Sequence, residues 1–517
     1  MRLPLPALLC CSAASLLLLL LRWRRRSGLW RKVRAARQRQ ERSLVRMEMA
    51  VQRFREQHPS VNVVSILKLP LPELTKKLRD GSLPLEHVFY AYVGKALSHL
   101  WALPAFPKAL QMATETNCIT EYLQESETQV QKMKPVGKLG LLYGVPVSLK
   151  DSIDCQGHDS TLGFIRNINK PVAEDSVVVQ VLRRQGAIPF VKTNVPQSLV
   201  SKKGVVSGIP GQKAVTAAVG PMAKDVESLA LSMRALLCED MFSLDSSVPP
   251  IPFNEEVYSS TQPLRIGYYE TDFFTMPSPA MRRAIRETKQ LLEDAGHTLV
   301  PFELMNVDYA FFNFCVKGVF ADGGASFLRK FKGELEESSL GMLWLMKSPN
   351  WLKNVLSWIT KPFMPRFSAV LASMRANTVD QVWSLHCEIE EFSQQFTAQW
   401  KKLNLDVMLC PMLGPALGIG YPPKLSVAVS YTMLYNALDF PAGVVPVTMV
   451  TDEDEEELKD YQGYFRDWWD RTMAKAFRGS VGLPVSVQCV ALPWQEELCL
   501  RFMKEVETLA LKNNSFI

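Results

Sequence analysis

The chain has 517 residues, 47% hydrophobic and 21% charged, with 27 glycines and 33 prolines. It is too long and too apolar for a disordered tail or a disulfide-stapled miniprotein, and too ordinary in glycine and proline for a collagen-like or low-complexity chain. The net charge of +7 sits in one place: residues 1–50 hold 12 Lys and Arg against Glu41 and Glu48, so residues 51–517 come to −3 and the body lacks the charge of a nucleic-acid binder.

In chain order, residues 3–21 carry no charge and end in six leucines. As a helix they span about 28 Å, close to the hydrocarbon thickness of a bilayer. The positive charge follows this run, at Arg22, Arg24, Arg25 and Arg26, and no small-residue cleavage site is present. That order fits a transmembrane anchor better than a removed signal peptide, and it sets the body on the cytosolic side with Trp23 and Trp30 at the interface. Basic and apolar positions alternate through 31–57, which predicts a continuing helix. Further helices are predicted at 71–78 and 85–103, and the apolar run 144–149, ending at Lys150, reads as a buried strand. Asp175 is the expected cap of a helix over 176–185, stopped by Gly186 before a strand at 187–191.

The alternation repeats as a strand at 264–269, a helix at 278–295 and a strand at 297–302. That helix has Ser278 as N-cap, Pro279 in its first turn and Gly296 just past its end, and it gathers Ala284, Ile285, Thr288, Leu291, Leu292 and Ala295 on one face. Strands follow at 405–409, 442–450 and 484–490. Helix–strand alternation of this kind predicts an α/β body, one mixed sheet covered by helices. Residues 348–374 differ in character: two short amphipathic helices broken at Pro362 and Pro365 place Trp351, Val355, Trp358 and Ile359 on one side with lysines at the margins. Such a segment suits a membrane interface or, equally on periodicity alone, an ordinary core helix pair.

Ten scattered cysteines without a C-x-x-C pair read as buried thiols in a reducing compartment, and six histidines show no metal spacing. No phosphate-binding loop, dinucleotide fingerprint or G-x-S-x-G elbow occurs, so no cofactor is implied. Lys150 is the one ionisable group whose place invites attention. At the end of a buried strand a lysine can be desolvated and act as a base, although most such lysines reach solvent.

Six stretches go further: GLLYGVPVSLK (140–150), DSTLG (159–163), VKTNVPQS (191–198), VGPMAKDVESLA (219–230), SYTMLYN (430–436) and VGLP (481–484). Together they resemble the amidase signature family, in particular its membrane-anchored branch acting on fatty acid amides. The resemblance implies an amidase-signature fold, a twisted mixed β-sheet surrounded by helices, behind an N-terminal transmembrane helix. The expected division is an anchor and basic neck at 1–30, connecting helices at 31–95 and the amidase-signature domain at 96–510, with 348–374 as a membrane-binding cap that includes Phe363. It further implies hydrolysis of N-acylethanolamines and primary fatty amides by a Ser–Ser–Lys triad, with Lys150 as the base. Leu199, Phe320, Met374, Val429, Met433 and Trp469 fall at acyl-chain positions, and Val370 stands where the family carries a larger aromatic. A lipid membrane, fatty acid amides, a second copy of the chain and the endoplasmic reticulum are the implied partners and setting. One departure is decisive. After VPQS the family continues into a Gly/Ser-rich block that supplies the nucleophile, the bridging serine and the oxyanion donors, whereas here the chain passes through Leu199 and Val200 directly to Ser201, Lys202 and Lys203. A chain with only the lysine is expected to be catalytically impaired. The alternatives are a pseudoenzyme that binds lipid amides or a partner, and a splice or gene-model product.

Overall fold

The computed structural model describes residues 5–97, 118–133, 140–194, 211–216, 219–332, 334, 340–415, 417, 421 and 424–513, with side chains from residue 24 on, except at 25, 340, 341, 342 and 426. It divides into two compact units. One comprises Met1–Gly208, Ala235–Pro250 and Arg329–Leu340, the other Ile209–Arg234, Ile251–Leu328 and Gly341–Ile517.

The first unit opens with one 53-residue helix, Leu5–Gln57. The predicted anchor at 3–21 lies where side chains are outside the described residues, and among the described residues no helix is long and apolar enough to cross a membrane. The later part of this helix turns Leu44, Met47 and Val51 onto Phe89 and Val93 of the helix Leu85–Leu97 and onto Ile119, Tyr122, Ile188 and Phe190. These last four lie on a three-stranded sheet, β1 (Ile119–Tyr122), β2 (Pro146–Lys150) and β3 (Ile188–Thr193), in the order β1-β3-β2. β2 and β3 are parallel, with an irregularity between Val147 and Ser148, and are joined through the helix Val177–Arg184; β1 runs antiparallel to β3. Gly186 ends that helix at φ +83°, and a Cβ there would meet the Tyr143 backbone at 2.8 Å, so glycine is required twice over. The expected cap is corrected. Ser176 accepts the Val179 N–H, while Asp175 accepts the Gln156 N–H and pairs with Arg183 at 3.0 Å. Two adjacent oxygen-bearing side chains compete for the cap, and the one placed at the true helix boundary takes it.

The second unit holds a five-stranded sheet: β4 (Arg265–Tyr268), β5 (Thr298–Pro301), β6 (Val407–Pro411), β7 (Ala442–Met449) and β8 (Pro484–Val490), in the order β5-β4-β6-β8-β7. The helix Pro279–Asp294 crosses over between the parallel neighbours β4 and β5, capped by Ser278 and stopped at Gly296, φ +92°. Ala284, Ile285, Thr288 and Leu292 are buried as its periodicity requires; Leu291 is half-buried and Ala295 exposed, at the rim of the stripe. The expectation of a single mixed sheet is corrected. Among the described residues there are two, each mixed, and no strand pairs with both. Which strands adjoin depends on long-range pairing that strand periodicity does not encode.

Candidate active site

Lys150 is the last residue of β2. Its backbone pairs with Thr193, its side chain is half-buried, and its Nζ donates to the Asn194 carbonyl at 3.2 Å. Burial pushes its ammonium below the ordinary lysine value, which raises the neutral fraction that a base must have. Ser148, two residues back, lies on the same open side of the strand, while Leu149 points inward.

The residues around β2 and β3 make its end rigid. Asp151 accepts the Thr161 hydroxyl at 2.9 Å and the Leu162 N–H at 2.6 Å, and its own N–H donates to the Thr193 carbonyl at 2.7 Å. Lys192, only 1% exposed, donates to the Asp159 carbonyl at 2.7 Å and to the Ser160 hydroxyl at 3.2 Å. Burial pushes Lys192 down in pKa, partly offset by the nearby Asp151 carboxylate. The DSTLG stretch is therefore a folded brace tied to both strands, with Leu162 and Gly163 at positive φ. Lys192 was not singled out from sequence. A lysine inside the otherwise buried run IPFVKT is the signal that could have found it.

Beside this brace, His158 lies 3.2 Å from Glu121 and 2.9 Å from Glu125. Burial pulls the imidazole down, but hydrogen bonding and charge from the two glutamates outweigh it and raise it from 6.5 to about 9. Glu125, His158 and Cys155 each bring a ligand-type atom within 4.8 Å of the others. Arg183, 3.6 Å from the Cys155 sulfur, and the protonated imidazole both oppose a cation there. The clamp is better read as a pH-linked strut. A folded pKa above the unfolded one gives stability that is complete below pH 6.5 and lost as pH rises through about 9. Denaturant titrations are expected to find His158→Gln destabilised by on the order of 2 kcal/mol at pH 6, after solvent screening, and nearly equal to the parent at pH 10.

In the second unit Met374, Met433 and Trp469 are buried in one hydrophobic core, and Phe320 packs partly against it, as does Val370. Val429 stands apart, exposed at the end of the 3-10 turn Ser426–Val429. Leu199, with Ser198, Ser201 and Ser207, lies outside the described residues. A different serine is conspicuous: Ser430 donates to Asp272 at 2.5 Å, and burial raises that carboxyl to about 6. Both are buried, and Asp272 also accepts the N–H groups of Phe274 and Thr275, so the pair ties a turn to a helix and offers no accessible nucleophile.

The helices at Asn350–Thr360 and Pro365–Ser373 break where the prolines demand. Trp351, Val355, Trp358, Ile359 and Phe363 are all exposed, Trp358 by 79% and Phe363 by 80%, which removes the core-pair alternative. The lysine margin is corrected at one position. Lys353 is buried, its Nζ donating to the carbonyls of Met374 at 2.9 Å and Met346 at 3.4 Å, each at the end of a helix where a cation is favourable. Burial pushes its ammonium down in pKa. Arg366, 1% exposed, bonds Asp467 at 2.8 and 2.6 Å, Asp470 at 2.6 Å and the Phe274 carbonyl at 3.0 Å. It was also missed from sequence, because its acids lie 101 and 104 residues away.

A model of the amidase family matches residues 103–207 and 198–500, two stretches that overlap at 198–207, from the end of VPQS onward. Pig "Fatty-acid amide hydrolase 1" is 47% identical over 544 residues, covering 92% of this chain and 91% of that one. "Fatty acid amide hydrolase 1" of Caenorhabditis elegans is 32% identical over 549 residues, covering 89% and 94%. Since 92% of 517 residues fills only part of 544 aligned positions, about 70 positions of the pig alignment have no residue of this chain. A solved structure of a fatty acid amide hydrolase shares the fold at a TM-score of 0.72 and 19% identity, covering 93% of this chain and 95% of that one. With a family match that spans most of its body and a close relative along nearly its whole length, the chain belongs to the amidase signature family, on its fatty acid amide hydrolase branch.

Proposed function

We propose that this chain is a fatty-acid-amide-binding amidase of the fatty acid amide hydrolase type whose hydrolytic step is lost or severely impaired. The observation that carries this reading is that the family match falls in two pieces, which overlap at 198–207, while Lys150 stays in place on β2. Relatives named for fatty acid amide hydrolysis support fatty acid amides as the substrate class, and the family resemblance adds N-acylethanolamines and primary fatty amides, with a Ser–Ser–Lys triad as the chemistry. In that triad Lys150 takes the proton that the bridging serine relays from the nucleophile, and its lowered pKa favours the task. The nucleophile, the bridging serine and the oxyanion donors belong to the block that the sequence lacks. Removing a nucleophile alone costs roughly a millionfold, and losing the oxyanion donors removes most of the residual rate.

Acyl-chain contact is assigned to Leu199, Phe320, Met374, Val429, Met433 and Trp469. Membrane contact is assigned to the apolar N-terminal run and to Trp351, Val355, Trp358, Ile359 and Phe363, whose exposure supports it. Pairing with a second copy and residence in the endoplasmic reticulum are carried over from the family. The abruptness of the junction favours a skipped coding block as the origin of the chain over gradual decay. A fluorophosphonate probe is expected to leave this chain unlabelled under conditions that label the pig relative; a covalently labelled serine on this chain would overturn the reading.

A further inference from the structure

The second unit displays a further exposed aromatic and basic patch outside the helices of 350–373. Residues 463–471 read GYFRDWWDR, and the fold sorts them by charge. Both acids, Asp467 and Asp470, turn inward onto the buried Arg366 at 2.6 Å, while Tyr464, Phe465, Arg466, Trp468 and Arg471 stay exposed. Phe273, 72% exposed, joins them with its ring 6.1 Å from Tyr464, whose hydroxyl is bonded to that of Thr271 at 2.7 Å. The Arg471 guanidinium donates to the Arg466 carbonyl at 3.1 Å, which holds the two arginines together. The nearby Glu270 is paired with Arg286 at 2.8 Å.

A solvated loop gains nothing from displaying four aromatic side chains. Rings flanked by arginines are the composition of a membrane–water interface, and an anionic headgroup surface attracts the arginines further. Withdrawal of both acids onto Arg366 removes the charges that such a surface would repel. The patch also adjoins the apolar helices: Arg366 lies over the Phe465 ring at 4.5 Å, Phe367 stands 6.2 Å from Trp469, and Phe363 is three residues upstream of Arg366.

We propose that Phe273, Tyr464, Phe465 and Trp468, with Arg466 and Arg471, form a second lipid-contact surface selective for anionic headgroups. This rests on the membrane reading of the 350–373 helices and adds a headgroup preference to it. The full chain is reconstituted in vesicles of phosphatidylcholine, with or without phosphatidylserine, that carry a photoactivatable group near the headgroup, and labelled peptides are mapped by mass spectrometry. Peptides spanning 464–468 are expected to label with phosphatidylserine present and roughly twenty-five-fold less without it, two arginines at about fivefold each. Arg466→Glu with Arg471→Glu is expected to abolish that difference while labelling of 351–363 persists. Labelling of 351–363 without labelling of 464–468 in phosphatidylserine vesicles overturns the proposal alone, as does cross-linking of 464–468 to a second copy of the chain. Absence of label from both segments overturns the membrane reading beneath it.

Discussion

Inserting beside Val200 the Gly/Ser-rich block that the family carries there is expected to raise fatty amide hydrolysis by four orders of magnitude or more. The expectation follows from what remains. Lys150 is positioned by β2, by the Asn194 carbonyl and by the brace that Asp151 and Lys192 hold, so the grafted serines would meet a base already in place. Release of free acid from a primary fatty amide measures the rate, and fluorophosphonate titration counts the active serines. In the grafted chain Lys150→Ala should then remove most of the gained rate. A graft that folds cooperatively yet gains neither turnover nor a labelled serine would show that more than the block has been lost.

The second large effect concerns stability. Arg366→Ala leaves Asp467 and Asp470 buried without their cation, and it is expected to cost about 3–5 kcal/mol in urea denaturation. The reason is the asymmetry of buried ion pairs: an intact pair contributes little beyond its desolvation cost, but a lone buried carboxylate has nothing to offset it. Arg366→Met combined with Asp467→Asn and Asp470→Asn should recover most of the loss. The amide oxygen introduced by Asp467→Asn can still cap the helix Trp468–Phe477, as the Asp467 carboxylate does by accepting the Asp470 N–H. If Arg366→Ala unfolds at the parent's urea concentration, the cluster is not a stabilising contact.

How much of this was legible in the sequence depended on the range of the interactions involved. The helix over 279–294 and β8 were readable because caps, a terminal glycine and a sustained period lie within the segments themselves. The exposed face of Trp351, Val355, Trp358 and Ile359 was readable as a stripe, but its side of the core boundary was not, since periodicity gives a face and not its neighbour. Lys192, Lys353 and Arg366 look like surface residues by type; each is buried because carbonyls or acids distant in sequence converge on it. The break into two sheets was invisible for the same reason. Lys150 drew attention by its place at the end of a buried strand, but likeness to a family was needed to make it a candidate base, because most strand-end lysines reach solvent.

The outer side of β2 has one more consequence. Among the described residues β2 pairs only with β3, so its outer side has no ladder partner among them, and an unpaired side is the arrangement that invites foreign strands and aggregation. This side is poorly suited to that. It begins with Pro146, which has no N–H to offer, its register is interrupted between Val147 and Ser148, and it closes on a lysine. Proline, a bulge and a terminal charge are the means by which natural sheets discourage strand addition. Pro146 and the bulge therefore protect that side whether or not any proton passes through Lys150.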